Sequence, residues 1–268
     1  MASTAPPLPV ESATLDRVEL SDPAVASDLH LSEATPRTLA RFERFVATEA
    51  AAHAELVILG DMFEAWIGDD DLGSTIGRRV AAALAAASAR GQRVLLMHGN
   101  RDVLLGAGFC AATGAQLLAD PVRARIQGVE WLLSHGDAWC VDDHAYQKFR
   151  AQVRAPDWQR AFLARTVEDR RAFIGAARAV SEADKRTKSL EIMDVAPSAV
   201  DAALRAAHGT RILHGHTHRP GVHHGHLEGV AVERWVLPDW DFEAKKADVR
   251  GGYVTFAGGA ARVVALSA

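Results

Sequence analysis

One pattern constrains this chain more than any other: a short apolar run, a break, and then Asp, Asn or His, repeated five times. Its clearest copy is Leu56-Val57-Ile58-Leu59-Gly60-Asp61. Four apolar residues without polar alternation predict a strand buried on both faces. The glycine stops that strand, and a carboxylate follows where it serves chemistry better than stability. The other copies are Ser27-Asp28-Leu29-His30, Val94-Leu95-Leu96-Met97-His98-Gly99-Asn100-Arg101-Asp102, Trp131-Leu132-Leu133-Ser134-His135-Gly136-Asp137 and Arg211-Ile212-Leu213-His214-Gly215-His216-Thr217-His218. Sites in open α/β sheets collect at the carboxyl ends of strands. Five such ends would bring Asp28, His30, Asp61, Asn100, His135, His216 and His218 to one rim, a donor set that predicts a metal site. A single strand-end Asp or His reads better as a turn cap. Seven of them at five strand ends do not.

The donors are oxygen and nitrogen, with no thiolate. Such a set favours Mn, Fe, Zn or Co over a structural Cys-type zinc site or an all-oxygen calcium site. Asp61 can bridge two cations through its two oxygens, and two cations about 4 Å apart activate water and clamp a phosphoryl oxygen. Arg101, beside Asn100, offers a guanidinium fork for phosphoryl charge, with a surface salt bridge as its plain alternative. His98 reads as a core or supporting residue, His214, His223, His224 and His226 as non-ligands, and Asp69-Asp70-Asp71 as a solvated turn.

At 268 residues the chain can hold one substantial core plus a modest inserted subdomain. A net charge of −4 gives no reason to expect nucleic acid. Cys110 and Cys140 form no CxxC pair and read as inert reduced thiols of a cytosolic protein, a single bridge being the alternative. Residues 1–17, rich in Ala, Pro, Ser and Thr, read as a disordered leader without the basic start of a signal peptide. No apolar run approaches the roughly 20 residues that span a bilayer, so any membrane association would be peripheral. Strands are expected at about Ala24–Ser27, the Asp61 and Asn100 runs, 120–128, 129–133 and 212–213, with tail strands near 230–237, 252–256 and 263–266. Helices are expected from Thr35-Pro36 and over 74–90. The alternation indicates a layered α/β fold. Residues 18–139 and 208–268 would form the core. Between them, 140–207 lacks strand runs and reads as a helical insertion carrying Trp158, Phe162 and Phe173 on an apolar face, either packed or lining a groove. Its Lys148, Arg150, Arg154, Arg160, Arg165, Arg170, Arg171 and Arg178 read as a solvated face or one drawn to an anionic leaflet.

The five metal blocks resemble those of the calcineurin-like metallophosphoesterases. Longer motifs narrow the likeness: Ser27–Ser32, Gly60–Asp70, Tyr146-Gln147-Lys148-Phe149-Arg150, Lys188–Val195 and His214–Pro220 resemble the bacterial UDP-2,3-diacylglucosamine diphosphatases of lipid A synthesis. The likeness implies a layered β-sandwich flanked by helices with a helical lid. It implies two Mn²⁺, one held by Asp28, His30, Asp61 and His218, the other by Asp61, Asn100, His135 and His216. It implies activated water attacking the α-phosphorus to give UMP and 2,3-diacylglucosamine 1-phosphate, with Asp61, Asn100, Arg101 and His216 in catalysis. Substrate contacts would come from Asn100, Arg101, Asp143, Ser181, Lys185, Lys188 and His216, although Lys185 stands where the family would place a small amide. The partners implied are a lipid-linked sugar nucleotide and the cytoplasmic face of the inner membrane, and a monomer is expected. Two rivals stand beside this reading: a dinuclear phosphoesterase for a soluble nucleotide, and a metal-free scaffold of the same fold.

Overall fold

Among the described residues, twelve short strands pair into two six-stranded sheets, each covered on its outer face by helices. The computed structural model describes residues 16–185, 194–245 and 248–267, and for 179–185 only the backbone. In chain order the elements are β1 (Arg17–Leu20), β2 (Pro23–Ala26), α1 (Pro36–Ala47), β3 (Glu55–Leu59), α2 (Thr75–Ala89), β4 (Arg93–Met97), α3 (Ala107–Thr113), β5 (Gln116–Leu118), β6 (Val122–Ile126) and β7 (Val129–Ser134). They continue with α4 (His144–Arg154), α5 (Pro156–Leu163), α6 (Val167–Lys185), α7 (Pro197–Ala207), β8 (Arg211–His214), β9 (Gly221–Leu227), β10 (Val230–Val236), β11 (Gly252–Ala257) and β12 (Ala260–Ala265). One sheet runs β12-β11-β2-β3-β4-β5 and the other β1-β6-β7-β8-β10-β9.

The unbroken apolar run of β3 has a direct packing cause. Val57 and Leu59 join Leu95, Met97, Leu133 and Leu213 between the sheets, while Leu56 and Ile58 point outward onto Phe42, Phe45 and Leu84. Successive strand side chains alternate faces, so a strand sandwiched between a sheet and a helical layer must be apolar at every position. A third cluster covers the other sheet, where Val200 and Leu204 of α7 meet Leu132 and Ile212. The fold is the expected layered α/β sandwich.

The local signals act where the chain places them. Pro23 opens β2, a position where a strand tolerates the missing N–H, and all four residues of that strand are buried. Ser74 caps α2 by accepting from the Gly77 N–H at 3.1 Å. Arg17, assigned by sequence to the leader, already lies in β1 and reaches Glu130. Within the expected insertion, α7 packs as the crossover helix between the parallel strands β7 and β8.

Candidate metal centre

Strands β2, β3 and β4 are mutually parallel, as are β7 and β8, so their carboxyl ends share a rim. The seven expected donors follow those five ends. Five of them, Asp28, His30, Asp61, His216 and His218, hold φ between 48° and 68°, a left-handed conformation that L-residues adopt at a cost of about 1–2 kcal/mol each. Strain concentrated on residues of one rim is a mark of function, because packing alone gives no reason to retain it. The loops are knitted to one another: the N–H groups of Leu29 and His30 both donate to the Asp61 carbonyl.

The side chains form two adjoining donor sets. In the first, His30 Nε2 lies 3.2 Å from His218 Nε2, and His218 Nε2 lies 3.5 Å from Asp28 Oδ1. In the second, Asn100 Oδ1 lies 3.1 Å from His135 Nε2 and 2.9 Å from His216 Nδ1. Asp61 stands between them, with Oδ2 3.9 Å from His30 Nε2 and Oδ1 3.7 Å from His135 Nε2. Asp28, His30 and His218 present ligand atoms within 4.8 Å of one another, and so do Asp28, Asp61 and His135. Asp28 Oδ1 is buried and accepts no hydrogen bond among the described residues, an orphaned carboxylate oxygen aimed at the first set. A cation satisfies it, so the residues present fit a divalent metal.

No family model matches the chain. Curated relatives are similar along most of its length. A UDP-2,3-diacylglucosamine hydrolase of Ralstonia nicotianae is 46% identical over 256 residues, covering 92% of this chain and 93% of its own. That of Bordetella pertussis is 44% identical over 90% of this chain and 93% of its own, and that of Marinobacter nauticus 44% over 80% and 88%. The chain belongs to the UDP-2,3-diacylglucosamine hydrolase family. Among solved structures it is similar to a dimetal phosphatase from Danio rerio, with 11% identity and a TM-score of 0.46 over 92% of this chain and 99% of that one, a likeness too loose to argue from.

In this member of the UDP-2,3-diacylglucosamine hydrolase family, the charges at the rim oppose one another. Burial alone would push the His135 imidazole down, but the Asp61 and Asp28 carboxylates outweigh it and lift it to about 9. Burial, with His135 beside it, pushes His216 down to about 4. Burial would raise the Asp28 carboxyl, yet His218, His135 and His30 hold it far below the usual carboxylate range. A cation bound here would take the place of the protons that such a cluster otherwise retains.

Supporting side chains lie one step back, and sequence reasoning assigned several of them no such role. Asp102 accepts from the Met62 and Gly99 N–H groups at 2.8 Å each and fixes the Asn100 loop against the Asp61 loop. Asp137 accepts from Tyr146 Oη at 2.6 Å and Arg150 Nε at 2.9 Å, and Arg154 reaches it at 3.3 Å. That carboxylate anchors α4, and Tyr146 stacks on His216 at 5.8 Å. His135 Nδ1 lies 2.9 Å from the Leu59 carbonyl, His30 Nδ1 2.7 Å from Glu64, and His218 Nδ1 3.6 Å from Asp239. The spacing of Tyr146 and Arg150, both facing one side of a helix, was the sequence signal for the Asp137 anchor.

Several expectations need correcting. Asp69-Asp70-Asp71 is a partly exposed turn that also tethers its surroundings: Asp69 accepts from Gly106 N and Phe109 N, Asp70 holds the buried Arg170, and Asp71 pairs with Arg171. The insertion's arginines do not form one outward face, since Arg150, Arg154, Arg170, Arg171 and Arg178 all tie the insertion to the core. Lys148, Arg160 and Arg165 remain exposed. Phe162, 1% exposed, is packed by Trp158 and Phe173, so this aromatic face is core rather than groove. Of the expected substrate contacts, Asp143 caps α4 through the Tyr146 N–H, and the Arg101 side chain is largely buried 3.8 Å from Glu64. Lys188 lies outside the described residues, as do the side chains of Ser181 and Lys185.

Proposed function

We propose that this chain hydrolyses the pyrophosphate bond of UDP-2,3-diacylglucosamine, releasing UMP and 2,3-diacylglucosamine 1-phosphate for lipid A synthesis. The observation that carries the reading is Asp61, whose two oxygens face two separate N/O donor sets, in a chain 43–46% identical to relatives named for this hydrolysis. Two divalent cations, Mn²⁺ in our reading, would be held by Asp28, His30, Asp61 and His218, and by Asp61, Asn100, His135 and His216. Bound there, the pair supplies Lewis acidity and brings the pKa of water towards neutrality.

The chain's own residues then orient the reaction. Water adds to the α-phosphorus and the bond from that phosphorus to the bridging oxygen breaks, so the lipid-bearing phosphate leaves as a monoester that needs little protonation. The Arg101 N–H donates to Asp61 Oδ1 at 2.8 Å, which ties the arginine's position to the carboxylate that faces both donor sets. Its guanidinium neutralises charge developing on the phosphoryl oxygens. Asn100 and His216 contact the phosphate between the donor sets, and Asp143, Ser181, Lys185 and Lys188 contact the rest of the nucleotide sugar.

The helices α4–α6 act as the lid. A cleft beside α6 is lined on one side by Leu31, Phe63, Trp66 and Ile76 and on the other by Glu33, Glu64, Asp71, Arg171 and Arg178, and in our reading an acyl chain would follow its apolar side. Among the described residues no helix is long and apolar enough to cross a membrane. Val141, Phe149 and Leu163, exposed apolar residues in or beside α4 and α5, support docking on the cytoplasmic face of the inner membrane. The test is turnover of the diacylated nucleotide against its deacylated counterpart. Strong preference for the diacylated substrate is the expected result, and equal rates on both would remove the lipid assignment in favour of a soluble nucleotide.

A further inference from the structure

We infer that Glu64 is a positioning residue that couples the seating of α6 to the first donor set. The inference rests on the cation reading above. Glu64 lies three residues beyond Asp61, and its backbone is fixed by the Glu64 N–H donating to the Leu31 carbonyl at 3.1 Å. Its carboxylate is 17% exposed and divides its two oxygens. Oε2 sits 2.7 Å from His30 Nδ1, and Oε1 receives the Arg178 guanidinium from α6.

The first contact is at ion-pair distance, and a ring turned to aim Nδ1–H at the carboxylate has its tautomer set by it. An imidazole donating Nδ1–H to a carboxylate keeps the Nε2 lone pair for a metal, and such outer partners also fix the ring's orientation. His30 needs that help because its backbone is strained, at φ 48°, and the ring sits at the 16%-exposed mouth of the centre. The second contact comes from the lid. Arg170 with Asp70 and Arg171 with Asp71 hold the first turns of α6 independently of Glu64. Arg178 is therefore the tie of α6 that ends on a group touching an expected ligand. A cation that draws His30 into place also fixes Glu64, and through it Arg178. Linkage makes the effect reciprocal: a seated α6 favours the cation by the same factor.

The experiment titrates Mn²⁺ into the full chain by calorimetry for wild type, Glu64→Ala and Glu64→Gln. Amide hydrogen exchange around Arg178 is followed with and without Mn²⁺. Glu64→Ala should weaken one of two cation equivalents about 10–100-fold and spare the other. Glu64→Gln, whose carbonyl still accepts from Nδ1–H, should recover much of that affinity. Mn²⁺ should slow exchange around Arg178 in the wild type and leave it unchanged in Glu64→Ala. Undiminished affinity in a folded Glu64→Ala, or Mn²⁺ protection of α6 equal to wild type in that variant, would overturn the inference while leaving the cation reading intact. Wild-type protein that takes up no divalent cation would overturn both.

Discussion

Gly99→Ala tests how tightly the centre is built. A Cβ at Gly99 would lie 2.8 Å from the Asp61 carboxylate carbon, and closer still to Asp61 Oδ1 and its backbone nitrogen. Carbon atoms in contact prefer 3.5–4.0 Å, so one partner must move by roughly 1 Å. The obstruction includes backbone, which cannot rotate away. Gly99 has no left-handed φ, so alanine is free of conformational penalty there and the test isolates the close approach. Overpacking of this kind costs about 1–3 kcal/mol. In a chain this long that lowers the unfolding midpoint by roughly 2–5 °C. The functional loss should be larger, because Asp61 serves both donor sets. A displacement near 1 Å can cost about 100-fold in rate. Scanning calorimetry gives the first number and UMP release at saturating Mn²⁺ the second. A Gly99→Ala protein with wild-type midpoint and turnover would refute the claim that the Asp61 and Asn100 loops are in contact and that the contact positions the bridging carboxylate.

Three further outcomes follow from the same geometry. Asp61→Ala should abolish cation-dependent turnover while circular dichroism shows the fold intact; surviving activity would rule out a bridging carboxylate. Without cation, His135 is lifted to about 9, so its contribution to stability is complete below its unfolded value of about 6.5 and fades as pH rises towards 9. Urea midpoints of the chelated protein should fall over that window, whereas cation affinity should rise across it because protons compete for the same nitrogen. Arg170→Met should cost about 2–3 kcal/mol in urea unfolding and open α6 to limited proteolysis, since it removes buried bonds to the Ile67 carbonyl and Asp70; Asp70, 57% exposed, stays solvated in the variant.

What could be read from the sequence divides along physical lines. The inner strands were legible because burial on both faces forces unbroken apolar runs, as at Leu56–Leu59. The donors were legible because each follows such a run through a break. Strand β1, Arg-Val-Glu-Leu, was not, since an exposed edge strand carries charges and only one buried residue. Strand β9, with three histidines and two glycines, pairs through its backbone and shows little of a strand's composition. The arginines misled for a different reason. A charge run signals a solvated face by default, and their partners Asp70, Asp71 and Glu64 lie 100 or more residues away along the chain. The left-handed backbone at five donors has no sequence signature, because Asp and His declare no conformation as glycine does.

Residues gathered from five strand ends should hold cations that support cleavage of a lipid-bearing sugar nucleotide. The most direct measurement is UMP release from UDP-2,3-diacylglucosamine by protein stripped with chelator and then titrated with Mn²⁺. The stripped protein should release none, and two equivalents of cation should restore full release. Undiminished release from protein shown by elemental analysis to carry no metal would contradict that expectation.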